Sequence, residues 1–293
     1  MKHRFTVIFC LLITAAAHAQ FPGWENMSRV VTDTLYSEVL ECSRPYNVFL
    51  PQNYSADVDR TYPVLYLLHG LWGNNEDWNG RGHVKDVMDQ LTASGEAVPM
   101  IIVMPAAGGG PQSGEWNGYF NMPGWAYEDY FFKELVPHVE NRYRVISAKN
   151  GRALAGLSMG GGGTVSYAQR HSDMFCAAYA MSALMDIPQE GAVVSDNPHD
   201  RLSLLNQSVK ENSCIAFVSE ASDETKDALR TIRWYVDCGD DDFLLDRNIE
   251  FIREMHQARI PCEFRVRDGG HTWEYWHSAL YACLPFVSRC FAK

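Results

Sequence analysis

Short runs of consecutive apolar residues alternate along the chain with longer amphipathic segments. The clearest runs cover residues 64–68 and 100–105, and shorter β-forming runs cover residues 152–155, 231–236 and 262–266. A continuous apolar run of this length is typical of a parallel strand that is buried on both faces of its sheet. After each of the last three runs, apolar residues recur with helical spacing. The pattern predicts an α/β domain with a doubly wound, mostly parallel sheet.

Two regions depart from this alternation. Residues 30–51 carry strand-like apolar clusters ahead of the first buried run, and we expect antiparallel strands there at the N-terminal edge of the sheet. Residues 185–226 are polar and contain Pro188 and Pro198. We predict short helices and loops for this second region, beside the mouth of a functional site where they would influence substrate preference.

A glycine lies two residues before and two residues after Ser158, in the pentapeptide Gly156-Leu157-Ser158-Met159-Gly160. This spacing is typical of a nucleophile elbow, a strained turn between a strand and a helix that holds a serine hydroxyl clear of the backbone. The pentapeptide alone is a weak signal. The predicted strand before it and the predicted helix after it supply the context that the motif requires.

Such an elbow needs an acid and then a histidine later in the chain, each after a strand. The run at residues 231–236 ends in an acidic loop at residues 237–242, and the run at residues 262–266 is followed by Asp268-Gly269-Gly270-His271. A solvated loop histidine is the competing interpretation of His271. The elbow and the preceding glycines favour the catalytic interpretation, because open α/β sheets place catalytic groups at the carboxyl ends of strands.

The first buried run ends in His69-Gly70-Leu71-Trp72-Gly73. A turn flanked by glycines after a buried strand can direct backbone N–H groups inward. Together with the N–H of Met159, donors of this turn would form an oxyanion hole for the tetrahedral intermediate of acyl transfer.

These blocks together resemble the esterase D superfamily of α/β-hydrolases. That group includes feruloyl and acetylxylan esterases of carbohydrate esterase family one, tributyrin esterases, S-formylglutathione hydrolases and mycobacterial mycolyltransferases. The resemblance covers nearly the whole chain after residue 19, and its blocks occur in the family's order. It is carried by residues 67–78, 116–144, 156–160, 238–245 and 269–273.

The resemblance implies an α/β-hydrolase fold and a serine esterase that needs no metal and no organic cofactor. It implies Ser158 as the nucleophile and His271 as the general base. The backbone N–H groups of Leu71 and Met159 are the implied oxyanion donors. His69 is expected to be structural and to hold its turn.

The acid has two candidates by resemblance. Counted from Gly239, the family's aspartate falls on Asp242, whereas counting back from Phe243 favours Asp241. We predict Asp242, with Asp237 and Asp268 as the next residues to test. A calcium-binding or merely solvated turn is the competing interpretation of the acidic run.

Aromatic residues are concentrated beside the predicted site. The default for large apolar side chains is the core. Trp72 and Trp273 are nevertheless expected as substrate-binding walls for a sugar or a phenolic acyl group, because they lie in segments that adjoin the predicted site.

Residues 1–19 read as a signal peptide, with Lys2 and Arg4, an apolar run, and Ala17-His18-Ala19 before Gln20. Its removal would leave a single catalytic domain at residues 20–293 and would change the formal net charge from −11 to −13, since two cations and no acids are lost. A chain with this negative charge is not expected to bind nucleic acid or anionic membranes. We expect a secreted or periplasmic protein without nucleic-acid or membrane partners, whose oligomeric state the sequence leaves open.

Removal of that segment would also leave an odd number of cysteines, so at least one thiol would be unpaired, and their scattered spacing argues against a zinc site. The sequence assigns no pairing among them. They are Cys42, Cys176, Cys214, Cys238, Cys262, Cys283 and Cys290.

The predicted activity is two-step hydrolysis of a small-molecule or oligosaccharide ester. Export and the aromatic surroundings favour acetyl or feruloyl groups on a plant polysaccharide such as xylan over a cytosolic glutathione conjugate. A generalist short-chain esterase and an acyltransferase with a sugar hydroxyl as acceptor are the alternatives. A binding module built on an inactive hydrolase is disfavoured by the complete set of triad residues.

Overall fold

The computed structural model describes residues 26–110, 112–188, 196–197 and 199–291. The strands of this part of the chain are β1 (Arg29–Ser37), β2 (Cys42–Leu50), β3 (Val64–Leu68), β4 (Ile101–Pro105), β5 (Asn121–Met122), β6 (Trp125–Ala126), β7 (Arg152–Leu157), β8 (Ala177–Met181), β9 (Arg233–Gly239) and β10 (Cys262–Arg267). Every buried run predicted from the sequence forms a strand, and the run at residues 64–68 coincides with β3.

Helices connect and cover these strands. They are α1 (Asp77–Gly80), α2 (Val84–Ser94), α3 (Tyr127–Tyr130), α4 (Val136–Arg142), α5 (Ser158–Arg170), α6 (Arg201–Glu211), α7 (Cys214–Ser219), α8 (Asp223–Leu229), α9 (Leu245–Gln257) and α10 (Trp273–Phe291). A π-helical turn at Phe131–Leu135 joins α3 to α4, and a 3₁₀ turn at Lys149–Gly151 precedes β7.

The main sheet has the strand order β1-β2-β4-β3-β7-β8-β9-β10, and β5 pairs with β6 in a separate hairpin. β2 is antiparallel to both of its neighbours, and the strands from β4 to β10 in this order are parallel. The predicted α/β-hydrolase fold, with a mostly parallel sheet and antiparallel edge strands at the N-terminal end, is therefore confirmed.

Both faces of the sheet are covered, which explains why its central strands are continuously apolar. In β3, Tyr66 and Leu68 face one core while Leu65 and Leu67 face the other, because successive side chains of a strand point to opposite faces. The core around Leu65 contains the buried residues of α2 and α10, and the core around Tyr66 contains those of α4, α7 and α9. Because β3, β7, β9 and β10 are parallel, their carboxyl ends lie along one edge of the sheet.

Within residues 185–226, the structure describes three short helices, α6 to α8, which agrees with the prediction for that region; residues 189–195 and 198 lie outside the described part. The predicted signal segment at residues 1–19 lies outside it as well. No helix in the described ranges has the length and apolar character of a membrane span. The seven cysteines from Cys42 to Cys290 are unpaired.

Candidate active site

Ser158 lies at the first position of α5, directly after β7, with no intervening loop. Its φ of +53° is in the left-handed region, which costs a non-glycine residue free energy and marks a strained turn. The flanking glycines are required by close packing. A Cβ on Gly156 would lie 2.4 Å from the Gly160 carbonyl oxygen, and a Cβ on Gly160 would lie 2.4 Å from that of His69. The pentapeptide therefore has the conformation of an elbow.

His271 lies in the loop between β10 and α10. Its Nε2 atom is 2.9 Å from Ser158 Oγ, within hydrogen-bond distance. The two residues are 113 positions apart in sequence, and they meet because β7 and β10 end at the same edge of the sheet. Such a contact allows an imidazole to accept a proton from a serine hydroxyl.

The carboxylate that contacts His271 is Asp242, three residues after β9. Its Oδ2 and Oδ1 atoms lie 2.9 and 3.1 Å from His271 Nδ1, and Oδ1 also accepts the Leu244 N–H at 2.9 Å. Burial raises the pKa of Asp242, but hydrogen bonds from His271, from Leu244 and from the Ser182 hydroxyl outweigh this effect and lower it below its ordinary value. The side chain is thus held as a fully buried carboxylate against the imidazole.

The other aspartates considered from the sequence occupy different places. Asp240 and Asp241 are exposed, and the Asp240 carboxylate accepts the Gly269 N–H at 3.0 Å, which supports the loop before His271. Asp237 is completely buried and accepts hydrogen bonds from two tyrosine hydroxyls and from the Arg267 guanidinium. It therefore stabilises the packing beneath the loop. Within the described ranges, no group of three or more His, Cys, Asp or Glu side chains is arranged to hold a metal ion.

The two predicted oxyanion donors, Met159 and Leu71, lie in the segments around Ser158. Met159 is the second residue of α5, so its N–H is one of those at a helix start that have no carbonyl partner within the helix. Leu71 belongs to the loop after β3 and lines the same cavity as Ser158. No acceptor for the Leu71 N–H is found among the backbone hydrogen bonds of the described chain. Neither N–H therefore has a backbone acceptor among the described residues that would compete with a bound oxygen.

His69 holds the loop after β3 from below. Its Nδ1 donates to the Gly70 carbonyl at 2.7 Å, and its Nε2 accepts the Ala107 N–H at 2.8 Å. Burial lowers the pKa of His69 to about 4, so the ring is neutral at physiological pH. This arrangement agrees with the structural role expected for His69.

A cavity of about 620 Å³ opens over Ser158 and His271. Trp72 and Trp273, the two predicted wall residues, both line it, and Trp72 is 42% exposed. Phe243 also lines the cavity, is 52% exposed and lies 4.7 Å from the His271 ring between centroids. The sequence does not predict this position of Phe243, because an aromatic residue after an acidic loop carries no local signal for a cavity wall. Trp276 is largely buried but also lines the cavity, and its ring lies 4.9 Å from that of His271 between centroids. Three other aromatic residues near the site are buried in the core: Trp78, Tyr119 and Trp125.

The fold and the site together define a serine esterase of the α/β-hydrolase class. The esterase family model, described as "Putative esterase", matches residues 37–287, and the chain belongs to this family.

Relatives with described activities support this placement. A solved ferulic acid esterase is 61% identical, with a TM-score of 0.88, and the match covers 90% of this chain and 99% of that one. An endo-1,4-beta-xylanase/feruloyl esterase of Xylanibacter ruminicola is 33% identical over 169 residues, which are 56% of this chain and 23% of that protein. The chain therefore spans less than a quarter of that relative. An acetyl esterase of Caldicellulosiruptor saccharolyticus is 23% identical over 87% of this chain and 96% of its own.

Proposed function

We propose that this protein is an exported carboxylesterase that removes feruloyl or acetyl groups from a plant polysaccharide such as xylan. The observation that carries the proposal is the continuous chain of hydrogen bonds from Asp242 through His271 to Ser158, at the floor of a cavity with aromatic walls. Such a chain activates a serine hydroxyl for attack on an ester carbonyl.

The first half-reaction forms an acyl-enzyme. Ser158 Oγ bonds to the ester carbonyl carbon while His271 Nε2 takes the hydroxyl proton, and the carbonyl oxygen becomes an oxyanion held by the N–H groups of Leu71 and Met159. When this intermediate collapses, the bond to the alcohol oxygen breaks, and His271 returns the proton to the leaving alcohol. Asp242 holds the imidazole with Nδ1 protonated and stabilises its cation.

The second half-reaction repeats these steps with water. His271 takes a proton from water, the new hydroxyl oxygen bonds to the acyl carbon, and Ser158 leaves with the proton that His271 carries. The acid and the free enzyme are the products. No metal or organic cofactor is needed for either half-reaction.

The substrate class rests on two independent supports. The 61% identical structure and the Xylanibacter relative carry feruloyl esterase names, and the Caldicellulosiruptor relative is an acetyl esterase. In addition, Trp72, Phe243 and Trp273 give the cavity the flat apolar surfaces that a phenolic ring or a sugar ring packs against. A volume of about 620 Å³ is in the range of sites that enclose a small organic ligand. We therefore favour the feruloyl group over acetyl.

Two alternatives give different products. A generalist short-chain esterase would turn over small esters at least as well as feruloylated fragments. An acyltransferase would pass the acyl group to a sugar hydroxyl in place of water, and it would yield a new ester without a stoichiometric release of acid.

Export is part of the proposal and rests on the amino-acid pattern of residues 1–19. The mature chain should begin at Gln20. N-terminal sequencing of protein recovered from periplasm or medium tests this point. An intact Met1 terminus in a membrane fraction would contradict it.

The test of activity is incubation of purified protein with feruloylated and acetylated xylan fragments, followed by mass spectrometry of all acyl products. Free ferulate should be released by the wild type. The Ser158→Ala variant keeps the oxyanion donors but lacks the nucleophile, so its rate should fall by at least about a thousandfold with folding preserved. Retention of a tenth of the wild-type rate by that variant would refute the mechanism, and failure of the wild type on every ester would refute the function.

A further inference from the structure

The loop that carries the Leu71 N–H is anchored on both sides by one segment of the chain. The Tyr119 hydroxyl donates a hydrogen bond to the His69 carbonyl at 3.0 Å, and Asn117 Oδ1 accepts the Trp72 N–H at 2.9 Å. The peptide that presents the Leu71 N–H lies between these two anchored groups. Its orientation toward Ser158 therefore depends on residues from outside the loop.

The Asn117 side chain connects two loops at once. Its Oδ1 faces the loop after β3, and its Nδ2 donates to the Gly109 carbonyl at 3.1 Å in the loop after β4. Only 9% of the residue is exposed. A backbone N–H can only donate and a carbonyl can only accept, so the two partners fix the orientation of the amide. A carboxylate or an apolar side chain of the same shape would lose at least one of these bonds.

The backbone at Trp72 needs such an anchor. Its φ of +59° lies in the left-handed region, which a tryptophan adopts only when its surroundings impose it. The indole is too exposed to impose that conformation by packing. The hydrogen bond from the Trp72 N–H to Asn117 is the contact that holds this residue, and with it the preceding peptide.

The backbone around the Asn117 amide also fits its side chain closely. A Cβ on Gly108 would lie 2.3 Å from Asn117 Oδ1, so a larger residue at position 108 would displace the side chain. The Gly118 N–H, directly after Asn117, bonds the Ala107 carbonyl at 3.0 Å and holds the segment in place. The amide is thus built into a fitted position between two loops.

We propose that Asn117 is a positioning residue of the esterase reaction, which aligns the Leu71 N–H with the developing oxyanion through its hydrogen bond to the Trp72 N–H. This inference rests on the proposed function. It requires no contact between Asn117 and substrate. The amide is therefore expected to stabilise the transition state, in which the oxyanion exists. It is not expected to change the binding of the ester or of the product.

The test compares Asn117→Ala with Asn75→Ala. Asn75 is a matched control, since it is a buried asparagine of the same loop whose amide donates to the side chains of Asn47 at 2.9 Å and Glu76 at 3.2 Å. In Asn117→Ala, kcat should fall by about 10- to 100-fold while KM changes by less than about threefold. In Asn75→Ala, kcat should stay within about threefold of wild type at a temperature where both variants are folded.

A second measurement separates positioning from a loss of packing. A trifluoromethyl ketone adds to Ser158 and places an oxyanion in the hole, whereas free ferulate, the product, does not. For Asn117→Ala, the inhibition constant of the ketone should rise by about the same factor as kcat falls. The inhibition constant of ferulate should stay within about threefold of wild type. A merely structural role would change both constants or neither.

If Asn117→Ala does not fold, Asn117→Leu is measured in its place. This variant nearly keeps the shape of the side chain but removes the acceptor for the Trp72 N–H, and we expect the same pattern of kcat and inhibitor effects. Wild-type kcat, or equal losses with ketone and ferulate, would overturn the role of Asn117. A wild-type protein that hydrolyses no ester would instead overturn the proposed function, so the two failures are distinguishable.

Discussion

The acidic loop offers a sharp test of the site, because three consecutive aspartates differ in burial and contact. Asp242→Asn should leave the fold intact and lower kcat by about ten thousandfold. The reason lies in the two fixed partners of the carboxylate. Oδ1 accepts the Leu244 N–H at 2.9 Å, and Oδ2 lies 2.9 Å from His271 Nδ1.

An asparagine at this position has only one oxygen for the two donors. If the oxygen stays on the Leu244 N–H, the amide NH₂ faces His271 Nδ1 and favours the tautomer with the proton on Nε2. That tautomer cannot accept the proton of Ser158. The opposite orientation would direct the NH₂ group at the fixed Leu244 N–H, donor against donor. Since a backbone N–H cannot change and an imidazole can, the unproductive tautomer is expected to dominate.

The assay is steady-state hydrolysis of methyl ferulate by the three single variants, with folding checked by circular dichroism. Asp240→Asn and Asp241→Asn are the controls. Each should keep kcat within about threefold of wild type, because exposed carboxylates contribute little individually and an asparagine at position 240 still offers an oxygen to the Gly269 N–H. A crippled Asp241→Asn together with a nearly normal Asp242→Asn would refute the assignment from geometry. If kcat is lost in none of the three variants, the acid of the triad is a different residue.

Two further predictions concern pH and specificity. Burial lowers the pKa of His69 from 6.5 to about 4, so as the pH falls the unfolded chain is protonated at this residue before the folded chain. The stability that the neutral ring contributes is therefore complete above about pH 6.5 and is lost as the pH falls toward 4. Urea titrations should show that wild type loses about 2 kcal/mol more unfolding free energy than His69→Gln between pH 7 and pH 5; equal losses would contradict this. Phe243→Ala should raise KM for a feruloylated sugar by about three- to tenfold and leave KM for methyl ferulate unchanged, because the ring lies beside the imidazole that protonates the leaving alcohol. Equal effects on both esters would assign Phe243 to the acyl side.

Much of the fold was predictable because its signals are local. The buried run that became β3 is apolar at every position, since both faces of that strand are covered. The nucleophile elbow could be recognised because two glycines must stand beside Ser158 for steric reasons. His271 could be singled out because it follows a strand-like run and the two glycines of the loop after it.

Contacts between distant loops were not predictable in this way. Nothing near Asn117 in sequence indicates that its amide bonds Trp72, 45 residues earlier, because that contact depends on where two loops lie in space. The choice between Asp241 and Asp242 was open for a similar reason, since an offset of one residue changes which side chain turns inward. Only the burial of Asp242 and its distance to His271 distinguish the two.

The order of strands in the sheet also determines how an ester can lie in the site. β7, which carries Ser158, has β3 as one neighbour, while β9 and β10 lie on its other side beyond β8. The loop after β3, which carries the proposed oxyanion donor Leu71, therefore lies on one side of the nucleophile, and the loop that carries His271 lies on the opposite side. In a tetrahedral intermediate the oxyanion must therefore face the Leu71 side. The alcohol oxygen, which receives a proton from the imidazole, must face the His271 side. Phe243 lies on the His271 side. The acyl group must then extend from Ser158 in a direction that neither of these two oxygens occupies. The order of the strands therefore determines which aromatic wall can contact the acyl group and which can contact the alcohol.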